Sequence, residues 1–161
     1  MITIRIERLQ ELQNFYRIIL NRVSDLSNVY KEWIEYYRSQ VIPYSFRTVG
    51  AIMGLKYSPL KPKYKKWKER HYPGRPILVL TGAMKEASEG GAGSVTEITK
   101  TTITFGVDID QIEYARIHQL GGSTGKAFIP QRPYLWSADG GLPGRGIQKL
   151  KDLLEKSLET D

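Results

Sequence analysis

The chain has 161 residues, with 24 Lys and Arg against 17 Asp and Glu for a formal net charge of +7, and no cysteine. That length is the size of one domain and is enough to bury roughly 68–70% of the unfolded surface. Without cysteine there are no disulfides, thiolate metal sites or thiol nucleophiles, so any chemistry must come from other groups.

Ile2, Ile4 and Ile6 alternate with Thr3 and Arg5, the period-2 pattern of a short strand. Charges are interleaved from Arg5 onward, and no stretch approaches the ~20 apolar residues of a membrane span. The expectation is a soluble protein without a standard export signal. From Glu7 the period changes. Leu9, Leu12, Tyr16, Ile19, Leu20 and Val23 recur at three- and four-residue steps, the stripe of an amphipathic helix. Ser24, Ser27 and Asn28 interrupt it, and a second helical stripe from Val29 through Trp33 to Val41 runs up to Pro43. Two helices, or one bent helix, fill the first quarter.

Residues 44–76 have no sustained period and contain Pro59, Pro62, Pro73 and Pro76. They predict an extended, exposed basic loop with one helical turn around Tyr64–Glu69. The charge is concentrated here. Residues 56–75 carry eight Lys or Arg and one acid, net +7, whereas residues 1–55 are net +2 and residues 76–161 net −2. Such a block attracts polyanions or acidic protein surfaces.

Ile77–Leu80 is a short aliphatic run, and Thr81 can cap a helical turn through Ser88 before the glycines at 90–93. Residues 95–99 and 101–107 are Thr-rich with alternating Ile103, Phe105 and Val107, a hairpin with one buried face. Asp110 and Glu113 have capping-box spacing for a short helix to about Gln119, ended by Gly121 and Gly122. Residues 133–136 read as a last strand, ADGGLPGRG as a flexible loop, and Ile147, Leu150, Leu153, Leu154 and Leu158 as a terminal amphipathic helix.

Three features suggest chemistry. GGSTGK invites a phosphate-loop reading, but that motif needs Gly five residues before its Gly-Lys-Ser/Thr; here Leu120 stands there and Ala127 follows Lys126. His118 could act as a base, yet a histidine in the last turn of a short helix more often contacts the exposed carbonyls or an interface. No nucleophile elbow, zinc motif or glycine fingerprint accompanies it, so the sequence offers no positive support for an enzyme. The basic segment interleaves Lys61, Lys63, Lys65, Lys66, Lys68, Arg70 and Arg75 with Tyr57, Tyr64, Trp67 and Tyr72. It reads equally as phosphate contacts with base-stacking platforms or as a solvated face with Trp67 anchored in the core.

In chain order stand YSPLKPKYKKWKERHYPG, ILVLTGAMKEAS, a hairpin ending TITFG, YARIHQLGG and IPQRPYL. This succession, over roughly residues 55–136, resembles the phage virion morphogenesis proteins, or tail completion proteins, of contractile-tailed phages and prophages. The chain departs from them at Tyr57, where many relatives carry a Trp, and in its glycine-rich C-terminal loop.

Elements and resemblance together imply an α+β protein: one domain over residues 1–161, with long N-terminal helices and a C-terminal helix packed on a small, mostly antiparallel sheet. The resemblance further implies a structural protein without catalysis or cofactor, acting where the finished tail meets the head or neck. Its place would be the virion and, during assembly, the host cytoplasm. The partners expected are its own copies in a homo-oligomeric ring, a hexamer being one candidate, and the tail tube, tail terminator or head connector proteins. The basic loop would dock on acidic surfaces or meet DNA in a lumen; no membrane is involved. The alternative is a nucleic-acid-binding protein using residues 56–75. The interaction residues expected are Lys61, Lys63, Lys65, Lys66, Trp67, Lys68 and Arg70 in the loop, with His118, Gln119, Arg132, Pro133 and Tyr134. Arg132 would reach a carboxylate or backbone acceptor, His118 and Gln119 would hold their turn by hydrogen bonds, and Arg132→Ala would impair assembly with little loss of monomer stability.

Overall fold

The computed structural model describes residues 9–125 and 127–159; the strand expected over residues 2–6 lies outside them. Helix α1 (Leu9–Ser24) forms as its stripe predicts. Much of that stripe is uncovered, with Tyr16, Leu20 and Val23 exposed, because among the described elements α1 packs chiefly on the C-terminal helix. A two-residue break follows, and the Asp25 carboxylate accepts the Ser27 N–H across it at 3.1 Å.

Helix α2 (Ser27–Tyr36) then runs without interruption through a π-helical turn at Tyr37–Val41 into α3 (Ile42–Arg47). Pro43 therefore does not end the helix. Proline has no N–H to donate and its ring presses on the carbonyl four residues back. The wider turn relieves both constraints: Ile42 donates to Tyr37 O, five residues back, and Pro43 enters the first turn of α3, where proline is tolerated.

The segment expected to be extended is largely helical. After a 3₁₀ turn at Ala51–Met53, α4 spans Pro62–His71, ten residues rather than one turn. Pro62 sits in its first turn, and Lys68, Arg70 and His71 near its end favour the negative pole of the helix dipole. Prolines that looked like breakers mark a helix start.

Helix α5 (Ala83–Ser88) precedes the hairpin of β1 (Ser94–Ile98) and β2 (Ile103–Val107), antiparallel with Ile98 opposite Ile103. Helix α6 (Tyr114–Leu120) has no side-chain cap, so the Asp110–Glu113 capping box does not form. Asp108 instead accepts from the Asp110 N–H and the Gln111 amide at 2.9 and 2.7 Å. Strands β3 (Gly122–Ser123) and β4 (Phe128–Ile129) make a second, minimal antiparallel pair. Helix α7 (Gly144–Leu158) closes the described chain. The fold is α+β, helical for the most part, with two small antiparallel sheets.

The core lies between the α2–α3 run, α5, β2 and α7. Trp33, Tyr37, Val41, Ile42, Met53, Met84 and Tyr134 are almost wholly removed from water. Phe105 meets Trp33 and Tyr37 edge-on at 5.6 and 5.3 Å, an arrangement favoured by the ring quadrupoles. Gly146 lets α7 come this close: a Cβ there would stand 2.7 Å from a Tyr37 ring carbon. Its carbonyl accepts the Trp33 indole N–H at 2.8 Å.

Candidate functional site

Residues 133–136 form no strand, because their main-chain groups are taken by side chains. The Gln119 carbonyl oxygen accepts the N–H groups of Tyr134 and Leu135, both at 3.0 Å, and its amide donates to Trp136 O at 3.1 Å. Tyr37 donates to Leu135 O at 2.7 Å, Tyr57 to Pro133 O at 2.9 Å, and Ser45 to Tyr134 O at 3.3 Å. A buried backbone needs such partners whether or not a strand supplies them. Gln119, Pro133 and Tyr134, expected at an interface, are thus interior residues.

This buried knot fixes Arg132. Its own N–H donates to His118 O at 2.7 Å, tying the segment to the end of α6. Gly121 makes the tie possible: its φ of 73° turns the chain, and a Cβ there would meet the Gln131 nitrogen at 2.8 Å. The Arg132 side chain is 5% exposed. Its Nε and Nη2 reach Ser58 O at 3.4 and 3.3 Å, so of the two acceptor types expected it has found the backbone one. Its burial bears on the expectation that Arg132→Ala costs little monomer stability, since that change empties a packed position.

Arg132 lies on a cleft of about 730 Å³, within the range of ligand and peptide sites. Its lining includes Leu60, Lys61, Tyr64 and Lys68 from α4 and the chain before it, then Ile77, Leu78, Leu80 and Met84, with Tyr114 and His118 of α6 and Phe128 and Ile129 of β4. The lining is mostly apolar, and its described residues include no Asp or Glu. Leu78 holds a φ of 69°, strained for a branched aliphatic residue, and such strain collects at ligand clamps and other functional positions.

Lys68 is 5% exposed and donates to Pro76 O at 2.5 Å; burial and then the Arg132 charge lower its pKa. Burial, with Arg132 beside it, brings His118 down to about 4. The imidazole is neutral at pH 7, and its buried Nδ1 has no hydrogen-bond partner among the described residues. His118 thus steadies its turn through its main-chain carbonyl, not through its ring.

Of the expected interaction residues, Lys61, Lys68, His118 and Arg132 are brought together on this cleft. Lys63, Lys65, Lys66, Trp67 and Arg70 stand exposed elsewhere on α4. Trp67, 42% exposed, is not anchored in the core. It stacks between Tyr64 and His71, with ring centres 5.5 and 5.0 Å apart. Lys68 is the buried residue of α4, because its position on the helix meets the Pro76 carbonyl as well as the cleft. Sequence reasoning missed the apolar wall and the tyrosines behind it. Leu60, Leu80 and Phe128 sit in loops and a two-residue strand, where no periodicity marks a shared face.

The profile of the phage virion morphogenesis family matches residues 8–159, nearly the whole chain. No curated protein and no solved structure matches it. The chain belongs to the phage virion morphogenesis family, and its role lies in the assembly of phage particles.

Proposed function

We propose that this protein completes the phage tail, or joins tail to head, as a non-catalytic ring subunit at the tail's head-proximal end. One observation carries the reading. Four of the five stretches that carry the family resemblance are far apart in sequence yet contribute to one cleft, through Pro59–Lys61, Ile77, Leu78 and Leu80–Gly82, Tyr114 with His118, and Ile129, Pro130 and Arg132, while the hairpin packs Phe105 into the core. A family mark that folded only the core would have no reason to gather at an open, apolar and cationic face. A ring requires two unlike surfaces on each subunit. The uncovered apolar side of α1, with Phe15, Tyr16 and Leu20 exposed, is a candidate for one of them, and the cleft is left as a surface for another protein of the assembly.

The test is genetic. Deleting the gene from the phage or prophage that carries it is expected to leave finished heads and finished tails unjoined, and restoring it in trans should recover infectious particles. Absence of tails, or heads empty of DNA, would place the protein at another step.

A second reading keeps one specific observation. Tyr64, Trp67 and His71 form an exposed aromatic ladder flanked by Lys63, Lys65, Lys66 and Arg70, which suits stacking on single-stranded nucleic acid. If it binds DNA, log affinity falls with log salt by nearly one unit per phosphate contact. Weak binding that ignores salt rejects this reading.

A further inference from the structure

The cleft's chemistry is two-sided. Its walls are aliphatic and aromatic, and at its edge lies a guanidinium with five N–H donors, of which two are spent on one distant carbonyl, Ser58 O. None of the ion pairs among the described residues engages Arg132 or Lys68; they join Lys65 to Glu69, Lys85 to Glu89 and Lys149 to Glu32. A cation held out of water without a counterion is costly. What offsets that cost must bring a negative charge and apolar surface together.

We propose that the cleft binds an extended segment of a partner chain in which an Asp or Glu lies between aliphatic or aromatic side chains. The carboxylate pairs with the unused edge of Arg132, whose planar fork matches a carboxylate bidentately. The flanking side chains enter between Leu80, Phe128 and Ile129. Charge complementarity selects the acid: the cleft contributes Lys61, Lys68 and Arg132 with no acid among its described lining, beside a segment of net charge +7. The walls select against nucleic acid, since a sugar-phosphate backbone would carry hydrated phosphates against aliphatic surface. The neutral His118 ring adds a polar tip without competing for the anion.

The proposal rests on the assembly reading for the partner's identity, and the two are tested apart: gene deletion tests assembly without any peptide. The probe here is a displayed library of random nonapeptides, selected on the full-length protein and counted again on Phe128→Asp. Phe128 is 67% exposed, so its replacement spares the fold while placing a competing carboxylate at the cleft mouth. Selected sequences are expected to carry an acid within two residues of Leu, Ile or Phe. A synthetic copy should bind the wild type at least tenfold more tightly than its Asn or Gln counterpart, and at least tenfold more tightly than it binds Phe128→Asp. No enrichment, enrichment without acids, or equal binding of the amide peptide would overturn the proposal. Self-association abolished by Phe128→Asp, with no peptide selected, would overturn it in favour of a second copy of this chain.

Discussion

Gln119→Met keeps the length of the side chain and deletes what the amide does. The carbonyl oxygen satisfies two buried N–H groups at 3.0 Å each, and the NH₂ serves Trp136 O. Gln119 itself is 1% exposed, so water cannot replace it without reopening the knot. Each buried main-chain donor left without a partner costs about 1–3 kcal/mol. Two of them give a central expectation of about 4 kcal/mol, a large share of the ~5–15 kcal/mol that holds a domain together. For a chain of this length the melting temperature should fall by roughly 8–16 °C. Urea unfolding followed by tryptophan fluorescence and by far-ultraviolet circular dichroism measures the loss, provided the two transitions coincide and the denaturant slope is unchanged. Gln148→Met is the control, since Gln148 is an exposed residue of α7 whose side chain donates to Asp152; it should lose less than about 0.5 kcal/mol. A loss that small at Gln119 would refute the idea that one side chain takes the place of a neighbouring strand.

Three further outcomes are expected. His118 is neutral in the fold, with its pKa brought down to about 4, whereas the unfolded chain titrates near ~6.5. Its contribution is therefore complete above pH 6.5 and lost as the pH falls towards 4, by no more than about 3 kcal/mol for a partly exposed ring. Urea midpoints of wild type and His118→Gln should converge over that window, and parallel pH profiles would contradict the assignment. Gly146→Ala drives a Cβ against the Tyr37 ring and should cost about 1–3 kcal/mol by overpacking, read as a lower melting temperature; no change would mean that α7 does not pack as described. Trp67→Ala removes the middle ring of an exposed stack and should leave tail joining intact, measured as phage yield, if the cleft and not the ladder is the assembly surface.

The helices with a clear apolar period, α1, α2 and α7, and the Thr-rich hairpin were legible because their signals are local. Misread regions are those where tertiary contacts decide. Pro43 and Pro62 looked like terminators, but Pro62 sits in the first turn of α4, where its missing N–H costs nothing, and Pro43 is accommodated by the π-helical turn before it. Residues 133–136 had strand composition, yet Gln119, from fifteen residues earlier, claims their N–H groups. Trp67 read equally as an exposed stacking platform or a core anchor, and the structure exposes it while turning Lys68 inward, because the Pro76 carbonyl waits on the inner side of α4. His118 and Arg132 were marked by the sequence as a place. Their meeting with Lys61 and Lys68 on an apolar cleft was not visible, since it depends on how the loops pack.

The most direct test of the assembly account is negative-stain electron microscopy of purified tails from the phage that carries this gene, made without the protein and then mixed with it. A ring of density capping one end of the tail is expected with the wild type and absent with Phe128→Asp. Bare tails in the presence of folded wild-type protein, or rings formed equally by Phe128→Asp, would contradict it.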